Sequence, residues 1–209
     1  MDRINKKLPF LYLITNRKSC HPKPLEEVIL EALHSGIRFI QLREKDLNSR
    51  DLHILAKKIK TLTDRYKALL LINGNVDIAL AVDADGVHLP EARMPVAEVR
   101  KRLGNNKLIG KSIHLPISLS DDDYNYIDFV TLSPVYSPGG KNYKAETIGV
   151  CNLKKTISEI PVPVYALGGI KPNHIIELKR AGASGIALSS GIMQAENIKK
   201  RVKEYLKVF

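Results

Sequence analysis

Residues 164–192 read VYALGGIKPNHIIELKRAGASGIALSSGI, and this stretch decides the fold. Val164–Leu167 is an apolar run of strand length, suited to a strand covered on both faces. Gly168 and Gly169 allow close backbone approach and leave N–H groups exposed. A helical segment then leads to a second apolar run, Gly185–Leu188, and to Ser189-Ser190-Gly191 at the start of a further helix. This order places two small-residue turns at the C-terminal ends of successive parallel strands. Their free amides and hydroxyls suit an anion, because helix N-termini carry unpaired N–H groups and the positive end of a dipole. In (β/α)8 barrels a phosphate frequently sits in the loops after strands 7 and 8. Gly168-Gly169 alone also fits a plain tight turn. The pairing of the two turns, one strand-helix unit apart, is what favours phosphate.

The same alternation continues outward toward the N-terminus. Apolar, strand-like runs occupy residues 10–15, 37–42, 68–72, Gly86–Leu89, 108–110 and 126–132. Helical periodicity marks residues 25–33, 52–62, a short stretch ending at Ala81, Val96–Leu103 and the region of 153–157, and a basic closing helix ends near Leu206. Strand-like runs alternating with helices in one series specify a parallel sheet. No G-x-G-x-x-G follows the first strand, and the chain is short, so a closed barrel is favoured over an open doubly wound sheet. The expected fold is α/β, a single-domain TIM (β/α)8 barrel over residues 1–209.

With 209 residues, 44% of them hydrophobic, the chain can bury one sizeable core. It lacks the run of about 18 apolar residues that a membrane span requires. Residues 8–14 read as a first strand rather than an export signal, since no small-residue cleavage site follows. Cys20 and Cys151 have no metal-ligand spacing and read as free thiols of a cytoplasmic protein. The net charge of +11 is high, yet its lysines and arginines are scattered through the helices. No basic stripe is interleaved with stacking aromatics, so a solvated cationic surface is favoured over a nucleic-acid track.

Catalytic groups of a barrel lie at the C-terminal ends of its strands. After the second strand, Gln41, Arg43 and Lys45 alternate along an extended segment and so point to one side, a donor set suited to phosphate or pyrophosphate. The alternative is a charged loop whose Glu44 and Lys45 face solvent. Asn73 ends the third strand, either to orient a ligand or to cap the next helix. His88 and the Ser112-Ile113-His114 triplet end strands four and five, each histidine readable as an acid–base group or as a packed side chain. Lys141 lies in a glycine-rich loop after strand six that could close over a ligand. Carboxylates are scarce at these positions, whereas a magnesium–pyrophosphate site needs one or two.

With these residues placed, the chain resembles the thiamine phosphate synthase/TenI superfamily over essentially its whole length. The motifs that carry the resemblance are LYLIT, GIRFIQLREKDL, LLINGNVDIALAVDADGVHL, IGKSIH, DFVTLSPVY and the stretch quoted at the outset. Their order and spacing together are specific, although each alone is weak. The resemblance implies a TIM barrel, a homodimer, and ligands that are a phosphorylated thiazole and a pyrimidine diphosphate. It implies that Gln41, Arg43, Lys45, Asn73, Ser112 and Lys141 hold the pyrimidine diphosphate. Gly168 or Gly169, with Ser189 and Ser190, would hold the thiazole phosphate.

The departures from the family pattern fall on the chemistry. The family's Asn-Asp pair after strand three is Asn73-Gly74 here, and Arg93 stands at its second Mg²⁺-ligand position, with Glu91 the nearest carboxylate. The hydroxyl-bearing loop before the family lysine is Pro138-Gly139-Gly140 ahead of Lys141. Pro134 replaces the histidine that the resemblance gives to TenI-type tautomerases. The resulting expectation is a TenI-like thiamin-pathway protein that binds a phosphorylated thiazole. Beside it stand a thiamine phosphate synthase with relaxed metal need, a tautomerase using His114 or His88, and a non-catalytic barrel.

Overall fold

The strand-like runs of the sequence pair in chain order, each parallel to its neighbour. β8 returns to β1 through Leu11 beside Ile186 and Leu13 beside Leu188. The computed structural model describes residues 8–20, 22–91, 95–137 and 146–208. Its strands are β1 Leu11–Ile14, β2 Phe39–Leu42, β3 Leu69–Asn73, β4 Gly86–Leu89, β5 Leu108–Ile113, β6 Phe129–Leu132, β7 Val164–Leu167 and β8 Gly185–Leu188. Around them lie the helices α1 Leu25–His34, α2 Ser49–Arg65, α3 Val76–Ala81, α4 Val96–Leu103, α5 Gly149–Glu159, α6 Ile175–Arg180, α7 Ser190–Met193 and α8 Ile198–Leu206. The closed parallel barrel with an outer helical ring is the TIM fold.

Two apolar layers hold it together. One lies between helices and strands, and Val28, Ile29, Leu33, Ile59, Leu178 and Val202 are fully or almost fully buried there. The other fills the barrel and is aromatic: Tyr12 stacks on Phe39 with centroids 4.1 Å apart, and Phe129 meets Tyr165 edge-on at 5.3 Å. Small residues opposite make room for these rings. A Cβ on Gly110 would lie 2.3 Å from the Phe129 ring, and one on Gly185 would lie 2.3 Å from Tyr165. Each ring buried in this way stabilises the fold by roughly 1.5–3 kcal/mol relative to exposure.

Helix starts follow local chemistry. Asn48, Asn75 and Asn197 each accept a backbone N–H three residues on, at 2.9, 2.9 and 2.8 Å. Between β5 and β6 no α-helix forms, as none is marked there by periodicity, and the chain makes only a 3-10 turn, Asp122–Asn125. Three consecutive aspartates and the Ser120–Asp123 hydrogen bonds favour a turn over a helix there. Arg100 of α4 braces this side instead. It donates to Asp128 at 2.6 Å and to the carbonyls of Gly104, Lys107 and Tyr126, while Asp128 also accepts the Ile109 N–H.

Candidate active site

All strand C-termini of the barrel open on one face, and β2 delivers its first group there. Gln41 is buried within the barrel, with Nε2 donating to the Tyr12 hydroxyl at 3.0 Å. Arg43 is half-buried; burial lowers its pKa and the neighbouring Glu44 charge opposes the shift. The chain then turns, so Lys45 reaches the rim from a turn rather than from a continuing extended segment. Alternation therefore governs Gln41 and Arg43 only. Lys45 lines a cavity of about 380 Å³ with Glu44, Asn73, Gly74, Asn75 and Pro90. Glu44 does not face solvent. Its Oε1 accepts the Thr15 hydroxyl at 2.6 Å, and both carboxylate oxygens accept the Arg17 N–H at 3.1 and 3.0 Å.

At β3 the helix cap is Asn75, which leaves Asn73 on the rim of that cavity. His88, on β4, is packed inside the barrel. Its Nε2 lies 2.9 Å from Ser112 Oγ and its Nδ1 lies 3.3 Å from the Tyr12 hydroxyl. Burial, reinforced by the charges of Arg43 and Lys111, lowers its pKa to about 3. The imidazole is therefore neutral throughout the physiological range, with one N–H and one acceptor nitrogen. Thr131 of β6 closes this layer, 3.4 Å from both Ser112 Oγ and His88 Nε2.

The next layer toward the mouth repeats the pattern two residues further along β5 and β6. His114 Nδ1 lies 2.7 Å from Glu91 Oε2, and its Nε2 lies 3.3 Å from Ser133 Oγ. Glu91 also accepts the Ser118 hydroxyl at 3.2 Å. Burial pushes the Glu91 carboxyl up, but hydrogen bonds and charge from His114, with Ser118, bring it below its ordinary value. Lys111 points the other way, donating to the Pro90 and Glu91 carbonyls at 2.9 and 2.8 Å and so fixing the loop that carries Glu91.

On the opposite side, the turns after β7 and β8 lie side by side. Gly168 and Gly169 have φ of +101° and +61°, the left-handed region that favours glycine. The structure gives both a further reason to be glycine. A Cβ on Gly168 would lie 2.8 Å from Pro134, and one on Gly169 would lie 2.4 Å from the Ser137 carbonyl. The segment after β6 docks here, with Val135 N–H on the Leu167 carbonyl at 2.9 Å and Tyr136 N–H on the Gly168 carbonyl at 3.1 Å. Ser189 and Ser190 open α7 on the neighbouring strand end. Tyr205 of α8 lies beside both turns: its hydroxyl donates to the Ile170 carbonyl at 2.9 Å and would lie 3.0 Å from a Cβ on Gly191.

Lys141, the glycine loop before it and Arg93 lie outside the described residues. Among the described residues, no cluster of three metal-ligating side chains occurs. Gly74 offers no side chain at one family ligand position, and Glu91 is engaged by His114 and Ser118. Of the one or two carboxylates that a magnesium–pyrophosphate site uses, the described residues at these positions offer Glu91 alone, and it is already hydrogen-bonded.

A family model described as thiamine monophosphate synthase matches residues 11–192. The chain belongs to the thiamine monophosphate synthase family. A Geobacter sulfurreducens protein provisionally named a thiamine-phosphate synthase is 45% identical over 196 residues, covering 94% of this chain and 92% of its own. The thiamine-phosphate synthase of Ruminiclostridium cellulolyticum is 36% identical over 199 residues, covering 95% and 94%. The solved structure of thiamine phosphate pyrophosphorylase from Pyrococcus furiosus superposes with a TM-score of 0.80 at 33% identity, covering 95% of this chain and 94% of that one.

Sequence reasoning missed four side chains that shape this face: Tyr12, Glu44, Thr131 and Tyr205. Strand alternation could have flagged two of them, since Thr131 pairs in register with Ser112 and Tyr12 lies two residues before Ile14, which pairs with Gln41. No local signal marks Glu44 or Tyr205, whose partners are 27 to 35 residues away.

Proposed function

We propose that this barrel is a transferase of the thiamine-phosphate synthase type, joining a pyrimidine methyl diphosphate to a phosphorylated thiazole. The observation that supports it is two anion-suited groups on one barrel mouth. Arg43, Lys45 and Ser112 stand at the ends of β2 and β5, and the glycine and serine turns follow β7 and β8. A tautomerase acting on one thiazole phosphate needs one anion site, whereas a transferase with two phosphorylated substrates needs two. In this reading the carbon–oxygen bond to diphosphate breaks with its electron pair on the departing oxygen. The thiazole nitrogen lone pair then forms the new bond to the pyrimidine methylene carbon. Arg43 and Lys45 stabilise the leaving diphosphate, and the β7 and β8 turns orient the thiazole by its phosphate. The described donors favour an enzyme whose need for magnesium is relaxed.

A second reading rests on the Glu91–His114–Ser133 chain of hydrogen bonds, which suits proton transfer and so a tautomerase. The deciding experiment supplies purified protein with both substrates, in magnesium or in chelator. Thiamin phosphate and pyrophosphate are expected in both conditions. Thiazole tautomer conversion without coupling moves the assignment to the second reading, and saturable thiazole-phosphate binding without turnover makes the barrel a non-catalytic binder. Magnesium-dependent turnover that Glu91→Ala abolishes overturns the relaxed metal requirement.

A further inference from the structure

Four side chains inside the barrel form a continuous hydrogen-bond chain that ends on a residue of the anion face. Gln41 Nε2 lies 3.0 Å from the Tyr12 hydroxyl, Tyr12 lies 3.3 Å from His88 Nδ1, and His88 Nε2 lies 2.9 Å from Ser112 Oγ. All but Ser112 are almost completely buried, so water is not available to rescue an unpaired group. A neutral imidazole carries one N–H and one acceptor nitrogen. With Gln41 donating to the Tyr12 oxygen, the Tyr12 proton goes to His88 Nδ1, and the His88 proton sits on Nε2 and goes to Ser112. Thr131 adds a second donor toward the same serine oxygen at 3.4 Å. The opposite tautomer would set two donors against the Tyr12 oxygen and leave the Tyr12 proton without an acceptor in this chain.

We propose that Gln41, Tyr12 and His88 are positioning residues that present Ser112 as a hydrogen-bond donor to an anionic oxygen at the barrel mouth. Ser112 Oγ receives its protons from below, so its own hydrogen is free to point outward. His88 in this role never exchanges a proton with substrate; its function is to fix a direction. A hydroxyl with a predetermined donor direction needs no reorganisation when negative charge arrives, which is the property an anion-stabilising group requires. The inference rests on the reading of this face as an anion site.

Two measurements test it. Nitrogen-15 NMR of the histidine-labelled protein without ligand reads the His88 tautomer directly. The Nε2–H form is expected, and the Nδ1–H form overturns the proposal whatever the protein's activity. Titration calorimetry with inorganic pyrophosphate then compares wild type, Tyr12→Phe, Ser112→Ala and the double variant. Tyr12→Phe is expected to weaken pyrophosphate binding about tenfold, the scale of one hydrogen bond to a charged group. In the Ser112→Ala background the same change is expected to have no further effect. Additive losses would mean that Tyr12 acts only through general stability, and would overturn the proposal. Absence of pyrophosphate binding by wild type, with the Nε2–H tautomer present, would defeat the anion-site reading instead.

Discussion

The Thr15 hydroxyl donates to Glu44 Oε1 at 2.6 Å while its oxygen accepts the Arg43 N–H at 2.9 Å. One hydroxyl thus joins the end of β1 to the segment that carries the cations after β2, and Glu44 extends the link to the Arg17 N–H. Glu44→Ala would leave these donors buried and unpaired. A loss of about 2–4 kcal/mol in chemical unfolding is expected, with Glu44→Gln losing about half as much. If both variants unfold like wild type, the carboxylate is not the joint described.

The buried His88 ties stability to pH. Its folded-state pKa is depressed to about 3, against an ordinary value near 6.5, so between these values the unfolded chain binds the extra proton. Stability from this group is complete above pH about 6.5 and declines as pH falls toward 3, by about 1.4 kcal/mol per unit. Urea unfolding of wild type and His88→Gln at pH 7, 6, 5 and 4 measures the effect. The variant is expected to show a shallower decline, and parallel profiles would contradict it.

Gly169 and Gly104 both have positive φ, but only Gly169 is crowded, with Ser137 against the place of its Cβ. Gly104→Ala should cost about 1–3 kcal/mol, because φ +71° with ψ −174° is a backbone region essentially reserved for glycine. Gly169→Ala should cost more, because the clash is with backbone, and should also lower turnover by moving the segment after β6. Equal thermal shifts for the two variants would show that Ser137 yields without strain.

Much of this was legible in the sequence, for reasons that also mark the boundary of legibility. The turns after Leu167 and Leu188 were readable because apolar runs and glycines are local signals. The inward direction of Gln41 followed from strand period. Glu44 was not readable: an acidic residue in a charged loop looks solvated until the β1 end, 29 residues away, supplies Thr15. Asn73 reads either as a cap or as a ligand group, and only the path of the chain gives the cap to Asn75. His88 reads as an acid–base candidate because its burial depends on Tyr12 and Phe129, from other strands.

Tyr205 and Gly191 should be thermodynamically coupled. Tyr205→Phe removes the bond to the Ile170 carbonyl, for an expected loss of about 1 kcal/mol. Gly191→Ala crowds the same hydroxyl at 3.0 Å. The double variant is therefore expected to be more stable than the sum of the single losses, because phenylalanine vacates the space the new methyl needs. Strict additivity in unfolding experiments would deny the contact.

The position of Tyr205 also sets a timetable. A chain leaves the ribosome from its N-terminus, so Arg43, His88 and Ser112 emerge long before α8. The turn after β7 is held by the Tyr205 hydroxyl, which comes from α8 and lies close to Gly191 after β8, and β1 waits for β8 to complete its pairing. A nascent chain stalled before Tyr205 would hold every cation of the β2 segment and still lack the brace on the opposite turns. The β7 and β8 side of the mouth should accordingly become ordered after the cations of the β2 segment have emerged, and not before them.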